Sequence, residues 1–164
     1  MPTPASATAT VAIGQPAPDF TLASTSDAKV TLSALRGQTV LLAFFPLAFT
    51  STCTAELCAM RDDYEQFAAE NVVILPISVD SVPTLKEYKR MHDMRTDLLS
   101  DFKREASRSY GVLLEEQFFS ARAYFLIDGE GILRWKHVEE VLGHRRSDEE
   151  LLAQIRAIQA VPRG

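Results

Sequence analysis

The sequence contains few of the residues that stabilise small exported proteins or hold metals. Among its 164 residues there are two cysteines and three histidines. Two cysteines can form one disulfide at most, which excludes a disulfide-rich scaffold. A chain of this length can bury a hydrophobic core of its own without such crosslinks.

Long hydrophobic runs and excess positive charge are also missing. The longest apolar run, Val40 to Phe45, is far too short to cross a bilayer, so we expect no membrane partner. The first ten residues lack the basic and apolar segments of a secretory signal. The net charge of -5 argues against a nucleic-acid partner, because phosphates would be repelled. We therefore expect a cytoplasmic protein whose thiols are kept reduced.

The chain does contain an ordered alternation of strand and helix patterns. An N-terminal β-hairpin is followed by the order β-α-β-α-β-α, then by a second hairpin and a last helix. Parallel strands that give way to an antiparallel pair predict an α/β protein with a central mixed β-sheet flanked by helices. This order resembles the thioredoxin-like fold. Residues 1–12 predict a flexible N-terminal tail, and residues 13–164 predict a single domain.

Both cysteines fall within the segment FFPLAFTSTCTAELC, residues 44–58. A buried strand over residues 40–45 ends at Pro46, and the pattern from about residue 52 to residue 70 predicts a helix. Cys53 then lies in the first helical turn, beyond the carboxyl end of a central strand, where open α/β sheets bind ligands. Helix N-termini favour a thiolate and lower the cysteine pKa from its usual value of about 8.5. The segment therefore predicts a reactive sulfur at Cys53.

Cys58 follows five residues after Cys53. Five residues of α-helix correspond to a rotation of about 140° and a rise of about 7.5 Å. The two Cα atoms would lie beyond the limit of about 7 Å for a disulfide, so the cysteines can bond only if the first turn or two unwinds. The rotation also moves Cys58 toward the polar positions Asp62 and Glu65, and we expect it to be more exposed than Cys53.

Other interpretations of the cysteine pair fit less well. Two buried small residues in an amphipathic helix would explain Cys53 but not Cys58. A zinc site would need ligands about two to four residues apart and usually four in all. The histidines, which we expect to be surface or second-layer residues, lack such spacing: His92, His137 and His144. A thioredoxin-type exchanger would need Cys-x-x-Cys, whereas four residues separate these cysteines.

The stretch PLAFTSTC resembles the Pro-x-x-x-Thr/Ser-x-x-Cys motif of the peroxiredoxins, which are thiol peroxidases on a thioredoxin fold. The resemblance covers residues 13 to about 160 and implies roles for three motif residues. Cys53 would be the peroxidatic thiolate, Thr50 the hydroxyl that bonds to peroxide and sulfur, and Pro46 a shield of the pocket. The segment SARAYFLID supplies the matching arginine, Arg122. A fixed guanidinium at that point would stabilise the thiolate and polarise the departing oxygen.

The stretch CTAELC resembles the bacterioferritin-comigratory, or PrxQ, subgroup, which implies that Cys58 is the resolving cysteine. Glu56 matches the Thr-x-Glu pattern of that subgroup and either pairs with an arginine or is solvated in the first turn. The wording FFPLAFT is closer to the one-cysteine alkyl hydroperoxidase E group. The first subgroup implies a monomer and the second a dimer, so we expect a monomer or a weak homodimer.

The resemblance implies an enzyme that reduces hydrogen peroxide and organic hydroperoxides. Cys53 would become a sulfenic acid and then condense with Cys58 in an intramolecular disulfide, which thioredoxin or a similar dithiol would reduce. No metal, haem or flavin cofactor is implied. Apolar side chains would keep the pocket dry, although they are equally suited to a core: Phe44, Phe45, Leu47 and Phe49.

Two other classes of function remain open from the residues alone. A thiol–disulfide oxidoreductase without peroxidase turnover would use Cys58 but would gain little from Thr50 and Arg122. A redox-sensing or chaperone-like module would use the unwinding of the cysteine helix as a switch. Consumption of peroxide with turnover distinguishes the enzyme from both.

Overall fold

The computed structural model describes residues 11–141 and 144–160, with the side chains of residues 51–53 and 160 left out of the description. The strands within these ranges are β1 (Thr21–Ser24), β2 (Lys29–Thr31), β3 (Thr39–Phe44), β4 (Val72–Ser78), β5 (Leu99–Ser100), β6 (Leu113–Leu114), β7 (Phe119–Ser120), β8 (Ala123–Ile127) and β9 (Leu133–Val138). The α-helices are α1 (Ser51–Asp62), α2 (Tyr64–Ala69), α3 (Val82–His92), α4 (Glu105–Ser109) and α5 (Asp148–Ala160), and a 3-10 turn covers Leu32–Leu35.

The main sheet has seven strands in the order β2-β1-β5-β4-β3-β8-β9. Strand β4 runs parallel to β3 and β5, and the remaining neighbours pair antiparallel. Strands β1 and β2 form the predicted N-terminal hairpin. The mixed sheet and its flanking helices confirm the fold class that the sequence predicts.

Strand β3 is buried on both faces of the sheet, as its continuous apolar sequence predicts. Leu41 and Ala43 point into one core cluster, whereas Val40, Leu42 and Phe44 point into the other. The alternation follows from the two-residue period of a strand. The first cluster is covered by α1, α2, α3 and α5, and the second by α4 and the N-terminal hairpin. Helices therefore cover both faces around β3.

The single helix predicted to about residue 70 is broken at Asp63, so that part of the prediction was wrong. Helix α1 ends at Asp62, and Asp63 adopts φ -98° and ψ 14° before α2 begins. Two groups of Asp63 stabilise the start of α2 by accepting hydrogen bonds from Gln66. The Asp63 carbonyl accepts one from the Gln66 backbone N–H at 3.0 Å, and the Asp63 carboxylate accepts one from the Gln66 side chain. Phe67 in α2 is fully buried, so the break lets α2 pack against the core in its own direction.

Of the predicted N-terminal tail, residues 1–10 lie outside the described residues. Val11 is buried against the second core cluster, and its carbonyl accepts a hydrogen bond from Lys136 Nζ at 2.6 Å. The Gly14 N–H donates to the Leu133 carbonyl at 2.8 Å. Residue 11, which the sequence assigned to the tail, therefore contacts β9. In the described part of the chain, no helix is both long and apolar enough to cross a membrane.

Candidate active site

The candidate site lies at the edge of the sheet where β3 ends and β8 begins. Antiparallel pairing places Phe44, the last residue of β3, opposite Ala123, the first residue of β8. Residues that follow β3 and the residue that precedes β8 therefore meet. Pro46 is buried in the loop after β3, and Arg122 is 1% exposed directly before β8. The topology thus brings together two of the predicted site residues that are far apart in sequence.

Asp80, just beyond the end of β4, fixes the loop between β3 and α1. Its carboxylate oxygen Oδ2 accepts hydrogen bonds from the Ala48 N–H and from Ser78 Oγ, both at 2.8 Å. Three residues before Ala48, the Phe45 N–H donates to the Ile77 carbonyl at 2.9 Å and continues the β3–β4 ladder. Sequence reasoning missed Asp80. Its position after a buried parallel strand was the available signal, because such strand ends share one edge of the sheet.

Thr50 forms the transition from this loop into α1. Its backbone is extended, with φ -102° and ψ 156°, which is the usual geometry of an N-cap residue. Its hydroxyl Oγ1 donates to the Leu47 carbonyl at 2.8 Å and caps no helical N–H. Phe49, the residue before it, has a φ of +67° and is 49% exposed. An aromatic residue in this left-handed region is strained, so the chain enters α1 through an unfavourable backbone conformation.

Cys53 is the third residue of α1, so the predicted place in the first helical turn is confirmed for its backbone. Its side chain lies outside the described residues. The first helical hydrogen bond runs from the Thr54 N–H to the Thr50 carbonyl at 2.9 Å. The N–H groups of residues 51–53 precede it, and such groups have no partner within their own helix. Together with the helix dipole they make this turn a favourable place for a negative charge.

Arg122 forms a buried ion pair with Glu56 of α1. Its Nη1 lies 2.8 Å from Glu56 Oε1, and the second oxygen, Oε2, accepts a hydrogen bond from the Tyr124 hydroxyl. Glu56 is fully buried, so of the two alternatives left by the sequence, pairing with an arginine is the correct one. Burial raises the pKa of Glu56, while Arg122 and Tyr124 act in the opposite direction. Burial also raises the pKa of Tyr124, which keeps its hydroxyl protonated as a donor.

The network continues from Tyr124 toward α5. The Tyr124 hydroxyl accepts a hydrogen bond from the Arg146 N–H at 3.1 Å. The Arg146 side chain pairs with Glu139 at 2.8 Å and with Glu150 at 3.1 Å. The Glu139 N–H donates to the Arg122 carbonyl at 2.9 Å. The backbone and the guanidinium of Arg122 are therefore both held in place.

Cys58 is half-buried and packs against the core cluster on the α1 side of the sheet. The prediction that Cys58 lies toward the polar positions of the helix was therefore wrong. Its Sγ lies 3.8 Å from Nδ1 of His92, the last residue of α3. Sequence reasoning missed this contact, and His92 is a neighbour of the thiol. Both cysteines belong to the same unbroken helix, as the disulfide argument requires.

The apolar residues that were expected to line a dry pocket divide into two kinds. Phe44 and Phe45 are fully buried and belong to the two core clusters on opposite faces of the sheet. Leu47 is half-buried, and Phe49 is exposed with its ring 4.9 Å from that of Tyr88. Leu47 and Phe49 are therefore the two of the four that are accessible from outside the core.

Neither the zinc interpretation nor another metal site gains support from the arrangement. Among the described side chains, which do not include that of Cys53, no three of His, Cys, Asp or Glu are grouped so that they could hold an ion. His137 lies 3.3 Å from Glu139, and His144 is exposed. Neither of these two histidines takes part in the Cys58–His92 contact.

Comparisons with known proteins agree with this geometry. The model of the AhpC/TSA family matches residues 13–136. Alkyl hydroperoxide reductase E of Mycobacterium tuberculosis is 39% identical over 131 residues, which cover 78% of this chain and 86% of that protein. A Coxiella burnetii protein named as a peroxiredoxin bcp is 35% identical over 147 residues, or 81% of this chain and 97% of that protein. The reduced 2-Cys peroxiredoxin of Plasmodium vivax superposes with a TM-score of 0.84 at 33% identity, covering 90% of this chain and 81% of that one.

Proposed function

The chain belongs to the AhpC/TSA family, the peroxiredoxins, and on that basis we propose that it reduces hydroperoxides with Cys53 as the attacking thiolate. Membership confirms the resemblance seen in the sequence and the thioredoxin-like fold. The chain is accordingly a thiol-dependent peroxidase. We further propose roles for individual residues, a resolving disulfide and a dithiol reductant, and that residues 13–164 form one domain.

The position of Cys53 supports its role as the attacking sulfur. Residue 53 lies in the first turn of α1, beyond the carboxyl end of the central strand β3. Helix N–H groups and the helix dipole stabilise an anion at this point, and thiolates rather than thiols attack peroxides. A negative sulfur is therefore less costly to form here than on an exposed loop.

The observation that carries the proposal is the buried guanidinium of Arg122. A cation that is 1% exposed is expensive to bury unless it has a partner and a use. Glu56 supplies the partner, at 2.8 Å from Nη1. The guanidinium lies at the sheet edge from which α1 begins, where a fixed positive charge would stabilise both thiolate and departing oxygen. A buried ion pair adds little net stability over an apolar pair of similar volume, so a use of this charge at the site would account for its burial.

The proposed first step balances without a cofactor. The Cys53 thiolate attacks the terminal oxygen of the hydroperoxide, an S–O bond forms, and the O–O bond breaks. The sulfur takes the terminal OH and becomes a sulfenic acid, and the other oxygen takes a proton from solvent, where the thiol released one on ionisation, and leaves as water or an alcohol. The Thr50 hydroxyl, one turn before Cys53, is suited to hydrogen-bond the peroxide. The buried ring of Pro46 keeps water from the sheet side of the pocket.

Cys58 is the proposed resolving residue. Its thiol condenses with the sulfenic acid of Cys53, and water leaves as the disulfide forms. The two cysteines share α1, so part of that helix must unwind first. Thioredoxin or a similar dithiol then reduces the disulfide, which fits a reducing compartment such as the cytosol. A monomer or a weak homodimer is sufficient, because both cysteines belong to one chain.

The direct test mixes the reduced protein with hydrogen peroxide and follows the loss of thiols by stopped-flow and quenched alkylation. We expect oxidation far faster than that of free cysteine at the same pH. Cys53→Ser should abolish it. A rate no faster than free cysteine would overturn the proposal and favour a thiol–disulfide oxidoreductase. Fast oxidation without repeated consumption of peroxide in the presence of thioredoxin and its reductase would favour a redox sensor.

A further inference from the structure

Two side-chain contacts join α1 to α3 at a spacing of one helical turn. The Tyr88 hydroxyl hydrogen-bonds to Thr54 Oγ1 at 2.9 Å. Four residues further along both helices, Cys58 Sγ lies 3.8 Å from His92 Nδ1. Residues four apart share a helix face, so the two contacts form one continuous seam. The thiol of Cys58 therefore faces α3.

His92 is held in this seam from both helices. Its ring lies edge-on to that of Tyr88, with centroids 5.0 Å apart, and its carbonyl accepts a hydrogen bond from Arg61 Nη1 at 2.6 Å. The residue is half-buried. An imidazole fixed beside a thiol is the arrangement by which proteins remove a proton from sulfur. The His92 ring is thus held more firmly beside the Cys58 thiol than a histidine on the open surface would be.

The entry into α1 is strained and lacks a side-chain cap. Phe49 has a strained positive φ, and Thr50 caps none of the helical N–H groups with its side chain. A helix end without such a cap frays more readily. We therefore expect unwinding to begin at the N-terminal turn.

The remainder of α1 is held much more firmly. Glu56 is fixed by its ion pair with Arg122, and Leu57 and Met60 are buried in the core. Thr54 and Cys58 contact α3 in the seam described above. Local melting should therefore release residues up to about 53 and leave residue 58 in place.

We propose that His92 is the general base of the resolving step. This inference rests on the proposed roles of Cys53 and Cys58. Cys53 moves toward a stationary Cys58, whose thiol proton passes to Nδ1 of His92. The Cys58 sulfur then attacks the sulfur of the sulfenic acid, the S–O bond breaks, and the departing hydroxide takes a proton and leaves as water. Sulfenic acid and thiol are thereby converted to disulfide and water, and no further oxidant is needed.

Several charged groups surround the pair. Arg61 of α1 interacts electrostatically with Cys58, with Asp62 beside it and with Asp93, which follows α3. The Cys58–His92 pair therefore lies beside one cation whose charge is shared with two carboxylates.

The test measures the rate at which the disulfide forms after one equivalent of hydrogen peroxide, using acid quench, alkylation of free thiols and mass spectrometry. His92→Asn keeps a polar group near the Nδ1 position but cannot accept the proton. We expect disulfide formation to slow about 100-fold at pH 7. The first oxidation of Cys53, followed in the same mixture, shows that the peroxide pocket is intact. His144→Gln, on an exposed histidine, is the matched control and should resolve at the wild-type rate.

Two further readouts separate a base from a structural residue. In the Asn variant the resolving rate should rise about tenfold per pH unit, because solvent hydroxide replaces the imidazole. As the pH is raised, the wild-type rate should reach its plateau at a lower pH than the variant does. Added imidazole should accelerate resolution in His92→Ala. Failure of imidazole to rescue that variant, or a wild-type rate in His92→Asn, would overturn the inference. If the wild-type protein forms no Cys53–Cys58 disulfide at all, the proposed resolving cysteine fails instead.

Discussion

Arg122 and Glu56 form an ion pair whose side chains are only 2% and 1% exposed, with Nη1 and Oε1 2.8 Å apart. The pair joins the start of β8 to the middle of α1. It ties the proposed catalytic helix to the sheet at the edge where the chemistry is proposed. Its two roles, in stability and in catalysis, can be separated by substitution.

Replacing Arg122 by Met should slow the first oxidation by about 100-fold to 1000-fold. The substitution removes the fixed positive charge that would stabilise the thiolate and the departing oxygen. Stopped-flow kinetics with excess hydrogen peroxide measures this step. Arg156→Met is the control, because that arginine lies on α5, is 58% exposed and pairs with Glu70. An unaltered rate in Arg122→Met would mean that another cation serves the site.

The same ion pair should show strong coupling in stability. Glu56→Gln and Arg122→Met each leave one charge buried without its counter-charge, which destabilises by about 3–5 kcal/mol. The double variant leaves neither charge, so it should lose clearly less than the sum of the two single losses. Urea unfolding of the four proteins gives the coupling energy. Simple additivity would show that the pair contributes nothing as a pair.

Cys58→Ser should separate oxidation from turnover. The variant should consume about one equivalent of peroxide at the wild-type rate and then stop, since its sulfenic acid has no partner thiol. Consumption of reduced nicotinamide in a coupled thioredoxin and thioredoxin reductase assay measures turnover. Continued turnover at the wild-type rate would assign resolution to a thiol outside this chain.

Asp148 should make stability depend on pH. Burial and the neighbouring carboxyl of Asp63 raise the pKa of Asp148 from 3.8 to about 7. Between these values the folded chain holds a proton that the unfolded chain has released. The stabilisation is therefore complete below pH 4 and is lost as the pH rises through 7, with a slope of at most about 1.4 kcal/mol per pH unit.

Asp148→Asn should flatten this part of the stability profile. Urea unfolding at half-unit steps from pH 4 to pH 8 measures the difference from wild type. Asp62→Asn, at a side chain that is 67% exposed, should leave the profile unchanged. An Asn variant with the wild-type slope would mean that other groups bind the proton.

The family and much of the proposed site could be predicted from the sequence because their signals are local. The motif from Pro46 to Cys53 lies within eight positions, and the buried run before it predicts a central strand. The alternation of strands and helices then predicted the mixed sheet. Arg122 is distant in sequence and was assigned through the family resemblance; the pairing of β8 with β3, which brings it to this edge, is seen only in the structure.

Features that depend on how helices pack could not be predicted in this way. The contact of Cys58 with His92 is set by the rotation of α1 against α3, and the periodicity of either helix alone does not determine that rotation. The burial of Glu56 likewise requires Tyr124 and Arg122 to face α1 from the sheet. The break at Asp63 was missed because the apolar spacing continues across it toward Phe67.

That break has a kinetic consequence if α1 opens in every cycle, as the proposed Cys53–Cys58 disulfide requires. Helix α1 ends at Asp62, and α2 begins anew with its own hydrogen-bonded turn from Asp63. Melting that starts at residue 51 therefore reaches a natural stop before it can loosen the buried ring of Phe67. Melting that is confined to the first turn leaves only about one turn to be rebuilt after reduction, and helical turns reform within about a microsecond. Recovery of the reduced shape would then be far quicker than any thiol exchange, and chemistry alone would set the pace of the enzyme.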